Sequence, residues 1–150
     1  MEIIEVNRSV VLNMLGAVGR GDFDGAMECF AENATFWVPG NMPFSGTLRG
    51  RQEIYDKNFL PSEKLSVPGS VKVEIGRTVS EGSYVAAEWV FMRKTVQGRD
   101  YRNVFFGLFE VRGEKIQSVR EYLDTQYAMD LLWPNEEPTG RTSNVKEEPA

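Results

Sequence analysis

The chain has 150 residues, of which 41% are hydrophobic and 26% charged, the size and balance of one globular domain with one core. Its 17 lysines and arginines against 22 aspartates and glutamates leave a formal charge of -5, which disfavours a nucleic-acid or anionic-membrane surface and favours a neutral or cationic small partner. There is no histidine, so Ser-His, Cys-His and His-metal centres are excluded; proton chemistry falls to carboxylates, tyrosine or lysine, and neither metal nor cofactor is expected.

Val10, Val11, Met14, Leu15 and Val18 recur at helical spacing and predict a first helix that ends near Gly19 and Gly21. Asp22 is placed to cap a second helix carrying Phe23, Ala26, Met27 and Phe30, and Cys29 beside this face reads as buried and inert. Gly16 to Gly21 resembles a phosphate loop only in composition, since it ends a helix and lacks the Lys-Ser/Thr pair. Thr35 to Val38 is a short strand stopped by Pro39-Gly40, and Asn41 to Gly50 reads as a loop. A third helix follows from about Arg51 to Leu60, closed by Pro61. The rest is extended: Val71 to Val79, Tyr84 to about Val96, Tyr101 to Val111 and Ile116 to Asp124, with turns at Glu81-Gly82, Gln97-Gly98 and Gly113.

Three helices, a small strand and a four-strand antiparallel meander make an α+β fold, with the helices on one face of a sheet. Tyr101, Phe105 and Phe109 alternate with Val104, Phe106 and Leu108, so both faces of that strand are apolar; with too few helices to cover both, the outer face is expected to meet a second copy in a homodimer. The domain is expected over 1–133. From Pro134 onward the chain has almost no apolar residues and is expected to be a flexible tail, 134–150. No window approaches the roughly 18 apolar residues of a membrane span, and Met1 to Glu5 lacks the layout of a signal peptide, so a cytoplasmic protein is expected.

Several blocks carry a family resemblance: Gly21-Asp22-Phe23-Asp24, Phe30 through Gly40, Pro43-Phe44-Ser45-Gly46, Gly50 through Ile54, Gly107 through Val111, and Lys115-Ile116 through Asp124. Across roughly residues 5–132 they resemble the nuclear-transport-factor-2-like superfamily, in its SnoaL-like and ketosteroid-isomerase-related branch. The resemblance implies a cone-shaped α+β barrel, in which a strongly curved antiparallel sheet wraps three N-terminal helices and encloses a pocket. That fold serves isomerases, dehydratases, cyclases, epoxide hydrolases and binding domains, so function rests on the pocket residues.

By that resemblance, the catalytic aspartate of ketosteroid isomerases falls on Val38, their oxyanion tyrosine near Met14 and their second oxyanion donor on Asn103. The end of the limonene-epoxide hydrolase pattern is similar to Arg120 through Asp124, placing its general acid on Asp124; its arginine and water-activating aspartate fall on Trp89 and Phe91, its tyrosine and asparagine on Phe36 and Val38. The single acid/base of SnoaL polyketide cyclases falls at or near Asp124. Strand alternation independently groups Tyr122 with Asp124, Tyr101 with Asn103 and Phe105, and Ala87 with Trp89 and Phe91. If those faces are concave, the site is an aromatic pocket of Met14, Phe36, Val38, Trp89, Phe91, Phe105 and Tyr122, with Asp124 as acid/base at raised pKa and Asn103, with Tyr101, steadying an enolate oxygen. Asp124 also reads as the cap of a helix starting near Thr125, and Asn103 as a satisfied buried amide. The cations from Arg93 to Arg102 read as solvated turn charges.

The reaction this implies is a cofactor-independent lyase or isomerase step on an apolar cyclic carbonyl compound. The alternatives are a non-catalytic small-molecule-binding or dimerisation domain with a small apolar or aromatic ligand, and an epoxide hydrolase with an altered site.

Overall fold

The apolar stripe of the N-terminal segment forms α1 (Ile3–Gly19), with Val11, Met14, Leu15 and Val18 buried, in a computed structural model that describes residues 2–136. Gly21, at φ +74°, reverses the chain, and the Asp22 carboxylate accepts the Gly25 N–H at 2.8 Å to cap α2 (Phe23–Met27). Next comes β1 (Phe30–Val38), longer than the sequence suggests because its first half is partly polar and exposed.

The segment read as a loop contains β2 (Gly46–Arg49), antiparallel to β1 and too short between turn-formers to show alternation. A helix then runs as α3 (Arg51–Ile54), a π-helical turn over Tyr55–Phe59 and α4 (Leu60–Lys64). It does not stop at Pro61. The proline sits in the first turn of α4, where a backbone N–H is dispensable.

The meander is β3 (Lys72–Glu81), β4 (Tyr84–Lys94), β5 (Asp100–Arg112) and β6 (Lys115–Leu123). Gly113 and Glu114 join the last two strands with φ of 58° and 61°, the paired positive values a two-residue hairpin needs. The six-stranded sheet, in the order β2-β1-β6-β5-β4-β3, is curved and does not close. Its pairings are antiparallel except for β1 with β6, which run parallel, a departure from an all-antiparallel sheet.

Val85, Ala87, Trp89 and Phe91 of β4 face the core with Tyr101, Phe105, Phe109 and Val111 of β5. The opposite face leaves Val104 and Phe106 about half exposed, at 56% and 47%. Finally α5 (Thr125–Leu132) returns Ala128 and Leu132 to the core. Of the tail expected from Pro134, residues 137–150 lie outside the described residues. No described helix is long and apolar enough to cross a membrane.

Candidate functional site

Between α1, the π turn and the concave face of the sheet lies a cavity of about 80 Å³, as measured by the space open to the centre of a water molecule. That is room for about six waters, or roughly one bicyclic ring system. Met14, Leu15 and Val18 of α1 line one side, and Trp89, Phe91 and Arg93 of β4 with Tyr101 and Phe105 of β5 line the other. Phe36, Phe59 and Leu65 add to the wall, while Met42 and Phe44 come from the β1–β2 loop and Ala128, Leu132 and Trp133 from the C-terminal helix and its end. The β4–β5 pairing sets Trp89 opposite Phe105 and Arg93 opposite Tyr101, so period-two alternation puts all of them on the same concave face. Trp89 and Phe105 stack at 5.5 Å between ring centroids.

The carboxylate in this lining is Glu121, not Asp124. Burial pushes its carboxyl up to about 8, because the cavity wall replaces the water that would solvate the charge. The reason lies upstream on β6. Ile116 and Val119, three apart, are both fully buried; Val111 pairs with Ile116 while Glu110 pairs with Ser118, so Gln117 is an extra residue. Such a bulge moves every later side chain to the other face. Glu121 and Leu123 therefore point inward, opposite Gly107 and Phe105, and Tyr122 and Asp124 do not.

Tyr101, 2% exposed, holds its hydroxyl beside a donor: Asn103 Nδ2 donates to the Tyr101 oxygen at 2.9 Å and to the Asp124 carbonyl at 3.0 Å. Burial raises the phenol to about 12, partly countered by Asn103 and by the charge of Arg93, so it stays protonated at neutral pH. With its oxygen already accepting, the O–H is the group left to donate. Arg93, 7% exposed, donates from Nη1 to the Ser62 carbonyl at 2.9 Å and the Ser66 hydroxyl at 3.1 Å. Its guanidinium lies 4.6 Å from the Phe91 ring centre and 5.0 Å from that of Tyr101. Burial lowers it to about 10, which leaves it charged.

Of the pocket residues expected from sequence, Met14, Phe36, Trp89, Phe91, Tyr101 and Phe105 line the cavity. Val38 is fully buried in the core beyond it. Asn103 is buried one step behind the wall, holding Tyr101. Tyr122 is on the outer face against Trp37, 5.3 Å between ring centres. Asp124 is exposed and accepts the Tyr127 N–H at 3.0 Å, which makes it the N-cap of α5. The inward placement of Glu121 is hidden in the sequence because the bulge leaves no mark in the residue pattern. Arg93 shares parity with Trp89 and Phe91, a signal outweighed by its place near a hairpin of mixed charges. Among the described residues no three Cys, Asp or Glu side chains gather as a metal site.

Solved structures with the same fold span nearly their whole length against this chain. Bal32a, from a soil-derived mobile gene cassette, is 22% identical at a TM-score of 0.73, covering 87% of this chain and 98% of its own. A nuclear-transport-factor-2-like protein from Burkholderia xenovorans LB400 is 23% identical at 0.67, over 86% and 97%. A protein with a ketosteroid isomerase-like fold from Catenulispora acidiphila DSM 44928, solved in complex with trimethylamine, is 20% identical at 0.62, over 75% and 83%. At such identities the likeness carries the fold alone. No curated protein matches the sequence. The SnoaL-like domain model matches residues 11–119, well over half of the chain, and the protein therefore belongs to the SnoaL-like family within the nuclear-transport-factor-2-like fold.

Proposed function

We propose that the cavity performs cofactor-independent acid–base chemistry of the lyase or isomerase type on a small, largely apolar cyclic carbonyl compound, with Glu121 rather than Asp124 moving the proton. One observation carries this reading: a single carboxyl in a mostly aromatic and aliphatic wall, whose other polar members are Asn58, Ser62, Arg93 and Tyr101, held near neutrality by burial, with the Tyr101 phenol oxygen already occupied by Asn103. Glu121 and Tyr101 line the same small cavity, which sets both beside one ligand. In its ionised form Glu121 takes the proton α to the carbonyl, and the Tyr101 O–H donates to the enolate oxygen that develops. The carboxyl then returns the proton to another atom of the same molecule. Asn103 acts through Tyr101 as a positioning residue.

The test is deuterium exchange at the α-carbon of 2-tetralone, a bicyclic ketone of the cavity's size, followed by proton NMR in D2O. The protein accelerates exchange, with a rate that rises with pH and levels above about 8 as Glu121 ionises. Glu121→Gln loses about a hundredfold or more and Tyr101→Phe a smaller factor, while Asp124→Asn keeps the rate. Binding of the ketone without acceleration supports the other reading, a non-catalytic small-molecule-binding domain. That reading draws support from the trimethylamine held by the Catenulispora acidiphila protein.

The homodimer is part of the proposal. On the outer face Val90 pairs with Val104, and Phe106 lies beside Tyr122, making a continuous apolar strip across three strands. Sedimentation of the native chain at micromolar concentration gives a dimer, and Phe106→Arg gives a monomer. A monomeric native chain overturns this part alone.

A further inference from the structure

The guanidinium of Arg93 is buried in a mostly apolar wall that also holds Asn58, Ser62 and Glu121, yet no carboxylate among the described residues forms an ion pair with it. Removing an arginine from water costs several kcal/mol unless an anion and a full set of acceptors replace the solvent. Here the replacement is partial. The two bonds from Nη1 account for two of the five N–H donors, and Nε is fully buried with no acceptor. The faces of Phe91 and Tyr101 stabilise the cation but accept no hydrogen bond along the plane of the fork.

Glu121, the carboxyl in the same cavity, does not serve as the missing counterion. Its displacement from the usual carboxylate range comes from desolvation alone, with no contribution from Arg93. The local structure holds the guanidinium in place without that anion. Ser66 donates its hydroxyl to the Ser62 carbonyl at 2.9 Å while accepting from Arg93, and Ser66 is bridged to Thr95, two residues beyond Arg93.

We propose that Arg93 is an anion subsite at one end of the cavity, and that the ligand of this protein is an aromatic or alicyclic carboxylate whose carboxylate group pairs with the free side of the guanidinium while its ring lies against the wall formed by Trp89, Phe91 and Phe105. This deepens the reading of the cavity as a carbonyl site, since it names the second functional group of the substrate and the end of the cavity that holds it. A carboxylate oxygen that accepts from Nη2 supplies the charge-assisted hydrogen bond that Ser62 and Ser66, both on Nη1, leave open. The neutral state of Glu121 leaves such an anion unrepelled.

Isothermal titration calorimetry at pH 7 with 2-naphthoate and its uncharged isostere 2-naphthamide tests the subsite. The native chain binds the acid about ten- to a hundredfold more tightly than the amide, the range expected for a hydrogen bond to a charged partner. Arg93→Met removes that preference and leaves amide binding within about threefold. The substitution is compatible with folding because the Ser62 carbonyl keeps its bond from Ser66. Arg93→Lys, which restores the charge without the fork, recovers part of the preference. Equal affinities in the native chain, no binding of either probe, or a preference that survives in Arg93→Met each overturn the proposal. Glu121→Gln keeps the preference for the acid while losing 2-tetralone exchange. The subsite and the acid–base reading therefore fail separately.

Discussion

Replacing Glu121 by glutamine is expected to stabilise the protein strongly at pH 8 and by no more than about 1 kcal/mol at pH 5. The carboxyl titrates near 4.5 when solvated and near 8 in the folded chain, where burial disfavours the charge. Below about pH 4.5 both states hold the proton, so the protonated group costs the fold nothing electrostatically. As pH rises from there toward 8, the unfolded chain releases the proton and the folded chain keeps it, which lowers stability by about 1.4 kcal/mol per pH unit. Above about 8 both states are ionised and the loss stops growing. Between pH 5 and pH 8 the native chain thus gives up at most about 3–4 kcal/mol through this one group, water in the cavity reducing the figure. Glutamine keeps the shape of the protonated acid and cannot ionise. Urea unfolding of both proteins, followed by tryptophan fluorescence at pH 5, 6, 7 and 8, isolates the term because every other titration is common to the pair. The variant's advantage should grow by at least about 1 kcal/mol across the series. An advantage that stays constant with pH refutes the placement of Glu121 in the cavity wall.

Asp124→Ala should cost about 1 kcal/mol in the same unfolding assay, the usual worth of an N-cap, and leave 2-tetralone exchange unchanged; a hundredfold loss of exchange in a folded variant would return the acid–base role to Asp124. Gly107→Ala should destabilise by about 1–3 kcal/mol through overpacking, since the added Cβ would stand 2.7 Å from the Phe109 ring and 2.9 Å from the Trp89 ring. A shifted tryptophan emission would accompany it, and unchanged stability would show that Trp89 is not packed as described.

The first helix and the two faces of β4 and β5 are legible in the sequence because they rest on a periodicity that nothing interrupts, whereas the third helix runs on through a π turn and past Pro61. Trp89, Phe91, Tyr101 and Phe105 face one way for that reason alone. The last strand was not legible in the same manner: both of its parities carry large side chains, and the unpaired Gln117 exchanges them midway. Tyr122 and Asp124 look like a pocket pair when counted from Ile116, and the bulge makes them the outer pair. The burial of Arg93 is hidden in the sequence for a different reason. What buries it is Ser62 and Ser66, roughly thirty residues away in sequence, and no local pattern announces that a distant helix end will fold over a charge near a hairpin.

The π-helical turn at Tyr55–Phe59 has a bearing on how such a cavity changes between relatives. A π turn holds one residue more than the α turn it replaces, so it retards the phase of the helix by about 100° before Ser62 is reached. Regularising the turn at constant length would carry the Ser62 carbonyl about 100° round the helix axis, away from Arg93, whereas losing one residue as the turn becomes α-helical would cancel that rotation and keep the carbonyl in place. The π turn is in that sense a surplus residue taken up within one turn, and it lets this helix differ in length by one residue without moving the carbonyl that holds Arg93.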